Sequence, residues 1–436
     1  MGRKMKDSGV EWIGEIPEDW KIERLKYQFN FGKGLAITKA DLVADGIGVI
    51  SYGQIHSKSN TGTSLNDLLI RYIPQDSEAI TESSLLHEGD FVFADTSEDL
   101  DGCGNCVYID KNKKLYAGYH TIILKNTKGN GKYLAYLFQT DNWRKQIRSK
   151  VLGVKVFSIS RKILSEAINI IPPIEMQNKI VKILDVKCNT IDTAISKANA
   201  SIIAYKSLKQ SLITRAVTKG VRGKREMKDS GIEWIGEIPA DWDVTRIKFL
   251  FELRNERNFL PLEEVNLISL YTDKGVIQHD DLEKTTGNKA SNADGYKIVC
   301  KDDIVVNIIL CWMGAIGRSD YEGVTSPAYD VYTPNADVDS RFYHHYFRTT
   351  GFNGDCYKRG KGIMAMRWRT YAEQFRDIKV VHPPMEEQQE ILRYLDEKCS
   401  AIDTLIAKKE QLLSELETYK KSLIYEYVTG KREVPA

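Results

Sequence analysis

Two stretches of this 436-residue chain carry positive charge and no acid. Between Asn142 and Ser165 stand Arg144, Lys145, Arg148, Lys150, Lys155, Arg161 and Lys162. Between Cys356 and Ala372 stand Lys358, Arg359, Lys361, Arg367 and Arg369, among Gly360, Gly362 and Trp368. The net charge of the whole chain is only +2, so one-signed clusters in matching places point to a polyanion. Phosphate is the chemistry they suit, and the glycines would let backbone amides approach it. Arg144, Lys145, Arg148, Lys150 and Lys155, with Lys358, Arg359 and Lys361, are the expected phosphate contacts. Arg367 and Arg369 flank Trp368 and are better suited to bidentate grip of guanine. A solvated basic face would account for either stretch alone, but the paired occurrence favours nucleic acid.

Tyr52, Gln54 and His56 in ISYGQIHSKSN occupy an early position similar to that of Tyr271, Thr272 and Lys274 in ISLYTDKGVI. Their side chains can read base edges, although polarity at a strand end explains them almost as well. Other groupings point to less. Cys103 and Cys106 form one CxxC with no second pair at metal spacing, so no metal is expected. His344-His345 lacks the HExxH geometry and reads as a helix surface. Nothing resembles a P-loop, an aromatic-ended Asn-Pro-Pro or Asp-Pro-Pro tetrapeptide, or a Gly-rich dinucleotide turn, so no catalytic residue is named. Seven thinly spread cysteines suggest reduced thiols and a cytoplasmic address. MGRKMKDSG lacks the apolar core of a signal peptide, and no run approaches the roughly 18 apolar residues of a membrane span, so no membrane partner is expected.

The elements that must position these residues come in duplicate. Met5–Trp20 (MKDSGVEWIGEIPEDW) and Met227–Trp242 (MKDSGIEWIGEIPADW) match at 14 of 16 positions. Pro172 to Val217 aligns with Pro383 to Val428, so the order is constant, variable, constant, twice over. A period this long implies two homologous halves rather than a solenoid. Such a pseudo-two-fold molecule suits duplex DNA, with unlike variable blocks for unlike half-sites. After each proline pair, apolar residues step by four and three: Leu184, Cys188, Ile191, Ile195, Ala198, Ile202, Tyr205, Leu212, and Leu395, Cys399, Ile402, Ile406, Leu413, Leu416, Leu423. Lys209, Lys409 and Lys420 interrupt these seams, and Cys188 and Cys399 serve as small apolar knobs. The pattern predicts two long coiled-coil helices of about 40 residues, paired antiparallel as spacers. The variable blocks read as mixed α/β, with strands at 49–55, 91–94, 121–124, 298–300 and 304–310 and helices at 132–147 and 340–349. Trp12, Trp20, Trp234 and Trp242 either pack each block onto a helix end or dock another subunit.

EWIGEIPxDW heading each block, the helix starts Pro172-Pro173-Ile174-Glu175-Met176-Gln177 and Pro383-Pro384-Met385-Glu386-Glu387-Gln388, the IDT turn and the closing VTxG together resemble the specificity subunit of type I restriction-modification systems. The likeness covers nearly the whole chain. Met176 stands where the family commonly has Glu and reads as a tolerant helix-surface site. The resemblance implies an α/β (α+β) fold with two pseudo-two-fold-related target recognition domains separated by two long antiparallel coiled-coil helices. The segments are then 1–171, the first repeat segment and recognition domain; 172–222, the central helix; 223–382, the second repeat segment and domain; and 383–436, the C-terminal helix. It further implies a sequence-specific DNA-binding subunit without chemistry of its own, which reads a bipartite asymmetric target in double-stranded DNA. Two modification subunits, with S-adenosylmethionine, and restriction subunits, with ATP and Mg, would do the methylation and cleavage. The rival reading is a coiled-coil scaffold that binds no DNA.

Overall fold

The computed structural model describes residues 3–126, 128–153, 155–278, 292–362 and 368–435. Its contacts divide the chain into two units, Met1–Ala198 with Leu412–Ala436, and Asn199–Gln411. In unit 1 the strand Phe91–Ala94 is buried at every position because it has a neighbour on each edge, Cys106–Tyr108 and Thr121–Asn126; Phe29–Lys33 completes the antiparallel sheet. Alternation then splits its side chains between two cores. Phe91 and Phe93 join Cys106, Ile122 and Leu124 on the helix side, while Val92 and Ala94 join Val107, Ile109 and Ile123 on the other. That other face meets a second sheet of Arg71–Ile73, Ile47–Ile50, Leu115–Ala117 and Leu85–Leu86, whose middle strands run parallel.

Unit 2 repeats the plan with the sheet Phe251–Leu253, Tyr329–Pro334, Ile304–Asn307, Ile316–Arg318. Ile304 and Val306 face its helices and Val305 the opposite side. The expected strands at 91–94 and 121–124 are present, and those at 298–300 and 304–310 appear as Lys297–Val299 and Ile304–Asn307. The strand expected at 49–55 ends at Ile50, because Ser51 opens a helical turn, Tyr52–Ile55, whose capping box uses Gln54. The helix expected at 132–147 is two, Gly131–Phe138 and Asp141–Arg148. Between them the Thr140 hydroxyl accepts from the Trp143 N–H at 3.3 Å and starts a new helix. Thr349 divides Ser340–Phe347 from Thr350–Arg359 in the same way, accepting from Phe352 N–H.

Both proline pairs lead into long helices, Ile174–Lys219 with 46 residues and Met385–Val428 with 44. A buried glutamine fastens the first turn of each. Gln177 donates to Pro172 O at 2.8 Å and accepts from Asn130 N–H at 2.9 Å; Gln388 donates to Pro383 O at 2.9 Å and accepts from Asp339 N–H at 3.0 Å. Within unit 1, Ile180, Leu184, Cys188 and Ile191 share a core with Leu423, Ile424, Tyr427 and Val428. There Lys420 Nζ meets Asp192 at 2.6 Å. Within unit 2, Lys209 Nζ meets Asp403 at 2.6 Å and Lys206 approaches Glu410 at 3.9 Å, so numbers rise along one helix as they fall along the other and the pair is antiparallel. Lys209 and Lys420, which interrupt the apolar seams, are thus the same repeat position making the same cross-helix ion pair.

One expectation about these helices is corrected. The position of Met176 and Glu387 is no helix surface: Glu387 is fully buried and paired bidentately with Arg225, while Met176 packs against the core of unit 1. Arg3, the repeat counterpart of Arg225, keeps the other two contacts of that arginine: it pairs with Asp19 at 3.4 Å as Arg225 does with Asp241 at 3.5 Å, and it lies over the Trp20 ring as Arg225 lies over that of Trp242. Both helices end at a left-handed glycine, Gly220 and Gly430, each with φ +72°. A Cβ there would collide with Arg225 and Glu387 and crowd Trp242 in one copy, and would collide with Pro17 and crowd Trp20 in the other.

Candidate nucleic-acid interface

The two acid-free stretches fold alike. After its helix each is closed by an antiparallel bridge, Leu152 to Ser158 in unit 1 and Lys361 to Arg369 in unit 2. In unit 1 the returning strand Phe157–Ser158 pairs with Thr96–Ser97 at the end of the central sheet. Lys145, Lys150 and Lys155 are exposed along this course. Two of the glycines permit close approach within the protein: a Cβ on Gly153 would strike Val156 O, and one on Gly360 would strike the Trp368 indole. Their expected role of admitting phosphate is therefore not needed to explain them.

Two of the expected phosphate contacts are engaged internally and are corrected. The Arg144 guanidinium donates to Phe138 O at 2.9 Å, to Asn105 Oδ1 at 2.6 Å and to Gln139 Oε1. Burial disfavours its charge and lowers its pKa. Arg148, with a side chain 15% exposed, donates to Asp101 O and lies 3.7 Å from the Asp101 carboxylate and 3.6 Å from that of Asp141. An acid-free run in sequence is not acid-free in space. In unit 2, Lys358 pairs with Glu233 at 2.8 Å and Arg359 with Asp377 at 3.4 Å, but these cations are 64% and 50% exposed and such surface pairs exchange readily. Lys361 is exposed and Arg369 half-buried, while Arg367 lies outside the described residues.

Tyr52 and Tyr271 also stand at strand ends. Tyr271, 38% exposed, caps the hairpin of Ile268–Tyr271 and Gly275–Gln278. Tyr52 lies within ring contact of His56, Tyr119 and His120 at 6.2, 5.7 and 5.6 Å. Gln54 spends its Oε1 on the Ser51 N–H at 3.2 Å. His56 meets Thr96 O at 2.9 Å and Asn105 at 3.2 Å, lining with Tyr52, Asp99 and Asp101 an open cleft of about 610 Å³. Tyr119, His120, Asp95 and Thr96 belong to the same corner and escaped the sequence reading, because no local pattern joins the loops that carry them.

The tryptophans divide. Trp20 and Trp242 are 1% and 0% exposed, so both are core residues and cannot be docking anchors. Trp12 and Trp234 are half-buried; the Trp234 indole donates to Asp355 at 2.7 Å, and Tyr425 donates to Trp12 O at 3.4 Å. His344 and His345 are half-buried rather than surface residues, and loss of water pushes them down to about 3 and about 4. Burial pushes the Cys106 thiol up to about 12 and the Cys188 thiol up to about 11. Among the described residues no group of three His, Cys, Asp or Glu is placed to hold a metal, and no helix is long and apolar enough to cross a membrane.

One frame used twice around variable blocks of unlike sequence defines a two-domain recognition protein. The chain belongs to the family described as the type I restriction modification DNA specificity domain, whose model matches residues 17–202 and 239–418. It is 25% identical over 434 residues to the putative type I restriction enzyme MjaX specificity subunit of Methanocaldococcus jannaschii, covering 97% of this chain and 96% of that one. With the MjaVIII specificity subunit of the same organism it shares 23% over 314 residues, 69% of this chain and 70% of the relative. Its fold matches a chain from a structural study of complex assembly and conformational transition in the type I R-M system, with TM-score 0.71, 12% identity, and 96% and 99% of the two chains covered. It also matches the HsdS subunit from Thermoanaerobacter tengcongensis, with TM-score 0.51, 14% identity, and 96% and 98% covered.

Proposed function

We propose that this chain is the sequence-reading, non-catalytic subunit of a type I restriction-modification complex. Each unit reads one half of a split, asymmetric sequence in double-stranded DNA. Two modification subunits and the restriction subunits supply adenine methylation, cleavage and their cofactors, S-adenosylmethionine, ATP and Mg. The observation that carries this reading is the duplicated frame with unlike residues at like places: Asp95 follows the strand Phe91–Ala94 in unit 1, whereas Ile308 follows the matching strand Ile304–Asn307 in unit 2. Closely matching frames give each half a similar attachment to its partners, and different side chains give each half its own base preference. The exposed lysines of the first acid-free stretch supply the charge that phosphate binding needs.

Methylome sequencing of cells that carry this chain with its partner subunits tests the reading. The expected result is one motif of two specified halves around an unspecified gap. A single uninterrupted motif would overturn the two-reader assignment, and a methylome unchanged by deletion of this chain would favour a scaffold without DNA contact.

A further inference from the structure

Three loops of unit 1 meet at one corner, those after the strands Ile47–Ile50, Phe91–Ala94 and Leu115–Ala117. They bring Tyr52, Asp95 with Thr96, and Tyr119 with His120 together. Asp95 is held from both sides of its backbone: its N–H donates to His120 O at 3.1 Å, and its carbonyl accepts from Ile159 N–H at 2.7 Å. Its Oδ1 accepts from the Thr96 hydroxyl at 2.5 Å and faces His120 Nδ1 at 3.2 Å. His120 sits at φ +54°, a left-handed conformation that a side-chain-bearing residue rarely adopts, and its ring is flanked by Tyr52 at 5.6 Å and Tyr119 at 6.0 Å. The side chains of Asp95 and His120 are nonetheless 32% and 59% exposed. The strand that pairs with Thr96–Ser97 closes the segment that carries the exposed Lys155.

A rigid, partly exposed carboxylate on a DNA-reading surface is suited to accept a hydrogen bond from a base. An ionised Asp only accepts hydrogen bonds, and in the major groove the donors are the exocyclic amines, N4 of cytosine and N6 of adenine. Guanine O6 and N7 and thymine O4 would set lone pairs against it. We propose that Asp95, seated against His120, reads one base of the half-site taken by unit 1 by accepting a hydrogen bond from the exocyclic amine of cytosine or adenine. The inference rests on the chain being a DNA-reading subunit and adds which side chain selects which chemical group. In unit 2 the matching strand, Ile304–Asn307, is followed by Ile308, so this acceptor belongs to one half only.

The test uses the chain assembled with its partner subunits and a target selected from randomised duplexes. Each adenine or cytosine of the target is then replaced singly, by purine, which lacks the N6 amine, or by 2-pyrimidinone, which lacks the N4 amine. One replacement in the first half should weaken binding about ten- to a hundredfold. Asp95→Ala and the size-preserving Asp95→Asn should bind the native duplex more weakly, and Asp95→Ala should no longer distinguish it from the amine-free one at that position alone. Replacements in the second half should cost the wild type and the variants the same. Wild-type binding that ignores every amine removal in the first half overturns the inference without any variant. So does an amine effect that persists unchanged in Asp95→Ala. A complex that selects no sequence at all overturns the DNA-reading assignment itself.

Discussion

Arg144 and Lys150 belong to one acid-free run, yet they meet different surroundings. Lys150 and Lys155 are exposed, so replacing either with Ala should weaken binding of the assembled complex about equally on all sequences and lower the salt slope by about one unit per lost contact. Arg144→Ala should act on the fold instead. It strands the oxygens of Asn105, Gln139 and Phe138 and should cost about 1–3 kcal/mol in a denaturant titration. A salt-slope change without loss of stability in Arg144→Ala would restore it to the phosphate contacts. The paired histidines of unit 2 give a pH signature. Burial holds His344 down to about 3 and His345 down to about 4, below their ordinary 6.5, so as pH falls the unfolded chain takes up protons before the folded one. Stability is therefore intact above about pH 7 and declines below about 6.5, down to about 4 for His345 and about 3 for His344, by up to about 1.4 kcal/mol per pH unit for each histidine. Melting curves at pH 7.5 and 5.5 should show the loss in unit 2, and His345→Gln should shrink it; equal melting temperatures would mean the rings protonate in place.

At the scale of elements, the helix ends carry a strong local demand. Gly220→Ala and Gly430→Ala each force a side chain into left-handed backbone and against a tryptophan, and each should cost at least about 1–2 kcal/mol in thermal or chemical unfolding. A neutral result at Gly430 would show that Pro17 and Trp20 can yield. These ends were legible as boundaries, because Val-Thr followed closely by Gly closes both helices, and the proline pairs and apolar steps mark their starts and seams. Less legible were features set by contacts distant in sequence. Thr140 divides a helix that periodicity alone reads as continuous, and the helix that Thr349 opens after 340–349 is not foreseen. Glu387 reads as a surface acid until Arg225 is seen beside it, and Arg148 reads as free until Asp101 folds over it. The corner around Asp95 joins three loops through sheet pairing, and no spacing within any one loop discloses it.

At the scale of the whole molecule, the constant frame and the variable blocks should separate experimentally. Exchanging residues 21–165 for the corresponding block of another family member should change one half of the methylated motif and keep the other half and the gap, as read by methylome sequencing. Changes in both halves would mean that the blocks do not read independently. The ion pairs Asp192–Lys420 and Lys209–Asp403 carry a further consequence. Each unit completes its helix pair with a segment from the other repeat: Leu412–Val428 serves unit 1, and Asn199–Lys219 serves unit 2. The borrowing is reciprocal between equivalent positions, so a half-length polypeptide of residues 1–226 carries both the donor segment and the place that receives it. Two copies of that polypeptide should trade helix ends and form a homodimer by light scattering, whereas a stable monomer would show that the trade needs the second repeat. With its partner subunits, such a dimer should methylate a palindrome, the first half-site facing its own inverse.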